Sequence, residues 1–208
     1  MTPVNAARVS FAKESSSLSN QDKKLIKYLI RENHTSPFEH NLITFKFKVP
    51  LFVARQHMRH RTWSFNEVSR RYTSVDIDFY SPKFFRKQHE SNRQASIVDS
   101  NFNPVLYTIE GEFADHPCEA QEALEAHVKS SLFLYNKMLV SGIAREQARM
   151  VLPQNLYTTY IGTVNLNNLI KFIKLRDHEG AQQEIRDMAL ACKTIARTVW
   201  PEILEYLE

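Results

Sequence analysis

The chain has 208 residues, with 27 Lys and Arg against 23 Asp and Glu, a formal net charge of +4 and 43% hydrophobic residues. That length allows one sizeable core, so a single domain over 1–208 is expected, and the charge is too mild to define a nucleic-acid protein by itself. No apolar run approaches a membrane span and the first residues lack the apolar centre of a signal peptide, so a soluble, cytoplasmic protein is expected.

In chain order, the spacing of Leu25, Ile26, Leu29 and Ile30 predicts a helix over 20–32, with Ser19 and Asp22 as its capping signal. Ile43, Phe45, Phe47 and Val49 then alternate with Thr44, Lys46 and Lys48, the pattern of a strand with one buried and one wet face. Pro50 opens a short helix over 51–61, with Leu51, Ala54 and Met58 on one face and Arg55, Gln56, Arg59 and His60 on another. The residues after Arg61 are expected in a loop. From 76 to 116 the periodicity is poor, with Pro82 and Pro104 as punctuation, and an insertion of short elements is expected. A long helix over 118–141 is stopped by Gly142, and a further helical stretch over 143–152 ends at Pro153. Residues 155–165, rich in Tyr, Thr, Ile and Val, read as a second strand. Two amphipathic helices, over 166–176 and 181–200, complete a mixed α+β domain.

The polar chemistry concentrates in RHRTWSFNEVSRRY, residues 59–72. Arg59, Arg61, Arg70 and Arg71 repel one another unless an anion sits among them, or unless they splay into solvent and pair with Glu67; both readings stand. Gln56, Ser64, Asn66 and Ser69 add amide and hydroxyl groups, while Trp63, Phe65 and Tyr72 add faces for stacking. A nucleotide suits this set better than inorganic phosphate does. The same residues would suit a single-stranded nucleic-acid binding module, which predicts a long basic stripe and tolerance of Lys for Arg. Arg176 can cap its own helix or bind a ligand, and Arg149 is equally open.

Several classes are disfavoured. His57-x-x-His60 has no acidic ligand in register, so no metal is expected. The two cysteines, Cys118 and Cys192, are too few and too far apart for a disulfide framework or a thiolate site. Cys192 reads as an inert buried thiol, and Cys118 as a helix-start residue without chemical consequence. Ser69 has no nucleophile elbow around it. With only four glycines there is neither a G-x-G-x-x-G loop nor a P-loop, so any dinucleotide must be held by side chains and helix ends.

RHRTWSFNEVS fits the R-H-R-x7-S signature and resembles the flavin-dependent thymidylate synthases. HTSPFEH, LFVARQHMRHR, SRRY, REQARMVLP, NLYTTYIGTVN and LRDHEGAQQEI resemble segments of that family in the family's order, with 76–116 the weakest part. The resemblance implies a mainly antiparallel, twisted sheet flanked by helices, in the fold of the thymidylate synthase complementing proteins. It implies methylation of dUMP to dTMP, with 5,10-methylenetetrahydrofolate as carbon donor, FAD as hydride carrier and NADPH as reductant. A homotetramer with shared active sites, using small molecules and no nucleic acid or membrane partner, is also implied; a catalytically silent family member is the other reading.

Carried over by position, the family's dUMP contacts fall on Gln56, Arg59, Glu67, Ser69, Arg70, Arg71, Arg149 and Arg176. Arg71 and Arg149 would take the phosphate, and Arg176 would stabilise the uracil as an N3 anion, polarising the ring toward hydride at C6. Ser69 would position or polarise the uracil. The FAD contacts fall on Ser10, His34, Ser36, Arg59, His60, Arg61, Asn66, Glu67, Asn165, Asn167 and Lys171. The last pair departs from the family, which often has arginine at the first and asparagine at the second.

Overall fold

The computed structural model describes residues 1–93, 95–106 and 117–206. Along them run α1 (Thr2–Arg8), α2 (Asn20–Arg31), β1 (Leu42–Pro50), α3 (Leu51–His57), β2 (Ser64–Glu67) and the two-residue strands β3 (Lys87–Gln88), β4 (Ser96–Ile97), β5 (Val105–Leu106) and β6 (Cys118–Glu119). Then come α4 (Ala120–Val140), α5 (Arg145–Ala148), β7 (Tyr157–Asn165), α6 (Leu166–Arg176), α7 (Gln183–Val199) and α8 (Pro201–Glu205). The contacts divide the chain into two units: Met1–Phe47 with Gln56–Asn66 and Tyr160–Glu208, and Lys48–Arg55 with Glu67–Thr159.

In the first unit, α2 starts where its capping residues place it. The Ser19 hydroxyl accepts from the Asp22 N–H, and the Asp22 carboxylate accepts from the Ser19 N–H at 2.9 Å, a reciprocal capping box. Asp22 does more than cap. It is only 1% exposed, ion-pairs with Arg8 of α1 and accepts from the Ser15 hydroxyl, so one carboxylate ties α1, the following loop and α2 together. The Ser19 N–H holds its pKa below the ordinary aspartate value.

The main sheet has the strand order β1-β7-β2. Phe45 and Phe47 of β1 are buried while Thr44, Lys46 and Lys48 are exposed, as the alternation predicts. The buried face is aromatic: Phe47 stacks on Tyr160 of β7 at 4.9 Å, and Trp63 stacks on Phe65 of β2 at 6.2 Å. Gly162 of β7 makes room for this cluster, since a Cβ there would lie 2.9 Å from the Phe47 ring and 3.3 Å from Trp63. Leu166, Leu169, Phe172 and Ile173 of α6 are buried, as are Ile185, Ala189, Cys192 and Ala196 of α7. The i, i+3, i+4 spacing of both sets makes one apolar stripe per helix.

In the second unit, Tyr135 of α4, Ala148 of α5, Leu152 and Leu156 form a buried cluster. α4 closes in a Schellman motif: Gly142 has φ 83°, its N–H bonds the Leu139 carbonyl, and the Ile143 N–H bonds the Met138 carbonyl, each at 3.0 Å. The first donors of α3 are satisfied from another segment, with the Leu51 N–H on the Leu156 carbonyl at 2.9 Å and the Phe52 N–H on the Gln154 carbonyl at 3.2 Å.

Several local expectations need correction. The helix opened by Pro50 ends at His57, four residues short of Arg61, so Arg59 and His60 lie beyond it and share no helical face with Arg55 and Gln56. The stretch after Arg61 is not all loop, because residues 64–67 form β2. The exposed side chains of Ser64, Asn66 and Glu67 hide that strand, which backbone pairing creates. Cys118 sits in β6, paired antiparallel with β5, and not in a helix start. Residues 143–152 hold a single helical turn, α5, and a 3₁₀ turn over Arg149–Val151. α1 and α8 lie outside the expected elements, and Pro3 and Pro201 stand at their first turns. In the 76–116 insertion β3 pairs antiparallel with β4, while residues 94 and 107–116 lie outside the described residues.

Candidate active site

In the first unit, Gln56, Arg59, His60, Arg61 and Asn66 follow one another around the end of α3 and into β2. Arg59, Arg61 and Asn66 are exposed, while Gln56 and His60 are half-buried. The Gln56 Oε1 is buried without a hydrogen-bond partner among the described residues, an unmet acceptor. His57 between them takes no part in a ligand surface. It is fully buried among Phe47, Trp63, Phe65, Tyr160 and Phe172, with Nδ1 2.8 Å from the Tyr160 hydroxyl. Burial pushes its pKa down to about 3, so it stays neutral.

α6 supplies both its ends. The Asn165 Oδ1 caps the helix by accepting the Asn168 N–H at 2.9 Å. At the other end, the Arg176 Nε donates to His60 Nε2 at 3.1 Å. Burial, and then the neighbouring charge of Arg59, lower the Arg176 pKa; burial, and then Arg176, lower that of His60. The capping role that Arg176 could have had at its own helix end is thus replaced by a bond to an imidazole. Asn167 is buried and its Nδ2 donates to Glu39 Oε1 at 3.1 Å, whereas Lys171, one turn on, is exposed. Ser10 is exposed in the 3₁₀ turn Val9–Phe11, beside the Asp22 clasp. His34 and Ser36 are exposed too, and the His34 ring meets Tyr28 edge-on at 5.6 Å.

In the second unit, Ser69 heads a turn in which its carbonyl accepts from Tyr72 N–H at 3.0 Å and its hydroxyl from Arg71 N–H at 3.3 Å. Among the described residues no base bonds the Ser69 hydroxyl, so nothing there would activate it as a nucleophile. Arg70 points back into its own loop, donating to the carbonyls of Val75 and Asp76, the latter at 2.9 Å. Arg71 and Arg149 are brought to one residue, Glu146. Arg71 ion-pairs with its carboxylate at 3.6 Å, and Arg149 Nε donates to its carbonyl at 3.3 Å. Both partners of the ion pair are more than half exposed, so the contact is weak. The Glu67 carboxylate accepts a 2.6 Å bond from the Thr158 hydroxyl, which fixes its direction. In the sequence nothing distinguishes Glu146 or Thr158 from surface residues.

The donor set fits FAD. The exposed Arg59 and Arg61 suit its diphosphate, and the Asn165 amide and an imidazole N–H of His60 suit neutral polar edges. Among the described residues no group of three His, Cys, Asp or Glu side chains is placed to hold a metal ion, and no helix is long and apolar enough to cross a membrane.

Within each unit the side chains offer groups able to bind a nucleotide: Gln56 and Arg176 in the first, Arg71 and Arg149 in the second. The model of the thymidylate synthase complementing protein family matches residues 1–202, and the chain belongs to that family. It is 42% identical over 211 residues to a flavin-dependent thymidylate synthase of Thermus thermophilus, covering 98% of this chain and 71% of that one. It is 39% identical over 202 residues to the enzyme of the same name from Thermosipho africanus, covering 97% and 83%. Among solved structures, the UMP/dUMP methylase PolB from Streptomyces cacaoi, bound with 5-Br dUMP, superposes with a TM-score of 0.81 at 33% identity, covering 99% of this chain and 88% of that one.

Proposed function

We propose that this protein methylates dUMP to dTMP, with Gln56, Arg59, Glu67, Ser69, Arg71, Arg149 and Arg176 holding the nucleotide. Arg71 and Arg149 take the phosphate; their common attachment to Glu146 supports this by placing two guanidinium groups around one residue. Gln56 reads the base edge, and Ser69 orients the uracil by hydrogen bonding. Arg70 serves from behind by closing the loop that carries Ser69 and Arg71. FAD, bound through Ser10, His34, Ser36, His60, Arg61, Asn66, Asn165 and Lys171 with Arg59 and Glu67, supplies hydride when present. NADPH is the reductant and 5,10-methylenetetrahydrofolate the carbon donor. Asn167 supports the flavin side through Glu39, since its amide nitrogen is already bonded there. A homotetramer that completes each site from several copies belongs to the same reading, as does one functional domain over 1–208.

The observation that carries the proposal is the Arg176 guanidinium, held at 3.1 Å by His60 at the end of α6. A fixed planar cation offers charge and hydrogen bonds to one edge of a pyrimidine, where negative charge develops as the ring is activated. The test is to purify the protein, add FAD, and follow the flavin band near ~450 nm on titration with dUMP, then assay dTMP with the folate and NADPH. A band that shifts with dUMP and a dTMP product support the proposal. A protein that takes up no FAD and makes no dTMP overturns it.

A further inference from the structure

The bond between Arg176 and His60 has a direction. A guanidinium only donates, so the His60 Nε2 must be the acceptor and must carry no proton. The neutral ring therefore holds its single proton on Nδ1. The ring is also braced: Phe172 meets it at 90° with centroids 4.9 Å apart. Phe172 lies one helical turn before Arg176 on α6, so one helix carries both the guanidinium and the wall behind its acceptor. Bonding the imidazole through Nε leaves the two terminal nitrogens, Nη1 and Nη2, able to donate as a pair. Among the described residues no other hydrogen bond is made by the Arg176 side chain.

We propose that His60 is a positioning residue for Arg176: its unprotonated Nε2 orients the guanidinium toward the pyrimidine, and protonation of His60 releases it. This rests on the reading of Arg176 as a uracil-binding group. The charged and titratable groups around the pair are Arg59, which precedes His60, Arg176 itself, and His57 at a ring distance of 6.2 Å. His57 is too deeply buried to titrate above about pH 3. Burial, and then Arg176, oppose a proton on His60. Its release of Arg176 thus falls below the ordinary histidine range, where a cationic His60 can neither accept the Nε–H nor lie comfortably against a second cation.

The test is a double-mutant cycle on dUMP affinity, measured by equilibrium dialysis of the FAD-loaded protein with labelled dUMP. His60→Phe keeps a ring against Phe172 and removes the acceptor. It is expected to weaken dUMP binding about tenfold in the wild-type background and less than about twofold when Arg176→Ala is already present. His60→Gln, which offers a non-titrating acceptor, should restore most of the affinity at pH 8 and abolish the wild-type decline in affinity on the acid side. Equal losses in both backgrounds would overturn the proposal, because His60 would then be acting by itself, and so would an unchanged acid-side decline in His60→Gln. Flavin absorbance and thermal unfolding of each variant separate this result from loss of FAD or of the fold. If the wild-type protein binds no dUMP at all, the functional reading fails while the pairing remains decidable. Imidazole ¹⁵N shifts should then show His60 as the Nδ1–H tautomer and move on Arg176→Ala; shifts that do not move refute the pairing.

Discussion

His57 and Tyr160 meet in the interior of the first unit, with Nδ1 of one 2.8 Å from the hydroxyl of the other and the sulfur of Met188 3.9 Å beyond. The second ring nitrogen of His57 has no hydrogen-bond partner among the described residues. A charge there would be surrounded by aromatic rings.

The first prediction concerns acid stability. The folded pKa of His57 is about 3 against 6.5 in its ordinary state, so between those values the unfolded chain binds more protons. The stability contributed by a neutral His57 is full above about pH 6.5 and is lost as the pH drops toward 3, by up to about 5 kcal/mol across the window. Urea unfolding at a series of pH values should show this slope, and His57→Phe should flatten it. An equal slope in the variant would place the acid sensitivity elsewhere.

Gly162→Ala tests the close approach of β7 to the aromatic cluster. The new methyl would sit 2.9 Å from the Phe47 ring, a distance that real contacts do not tolerate. A loss of about 1–3 kcal/mol is expected from displaced rings. A midpoint of thermal unfolding equal to that of wild type would show that the cluster yields without cost.

Arg176→Ala and Ser69→Ala should separate electrostatic from positioning effects. The first should lower turnover by roughly 10²–10³-fold or more while leaving the flavin band in place. The second should weaken turnover without abolishing it, because no base is bonded to the Ser69 hydroxyl among the described residues. Turnover unchanged in Arg176→Ala removes its role, and turnover lost entirely in a folded Ser69→Ala protein would restore serine as a nucleophile.

Both cysteines should be dispensable for chemistry. Burial pushes the Cys192 thiol up to about 12, leaving no thiolate at neutral pH, and Cys118 is held in the backbone ladder of β6. Cys192→Ser should retain its turnover but lose about 1–2 kcal/mol of stability through a buried hydroxyl. Cys118→Ser should match wild type in both. Inactivity of the folded Cys118→Ser protein would point to a thiol mechanism.

What could be read from the residues was whatever a side chain announces locally. Ser19 and Asp22 marked the start of α2, Gly142 the end of α4, and the alternation through Phe45 and Phe47 the face of β1, because each of these is decided by neighbours in sequence. β2 escaped notice because its four residues owe their conformation to backbone pairing in the sheet, and their side chains carry no alternation. The helix through His57 was extended too far by a spacing rule that could not see where α3 stops. Arg70 sat beside Arg71 in the same motif, yet only the folded loop shows one turned to carbonyls and the other to Glu146. His60, expected among the flavin contacts, is seen to hold Arg176 from 116 residues away, a pairing that no local pattern encodes.

α6 works as a gauge. Its N-cap is the Asn165 amide, its last residue is Arg176, and its 11 helical residues, Arg176 included, carry the chain roughly 16 Å from cap to tip. Exchanging one exposed residue for another along it, at Lys171 or Lys174, leaves that interval unaltered. Adding or deleting a single residue would swing Arg176 by roughly 100° around the axis and detach it from His60. The reach from the Asn165 cap to the Arg176 tip is therefore set by the length of this segment more than by the identity of its exposed side chains.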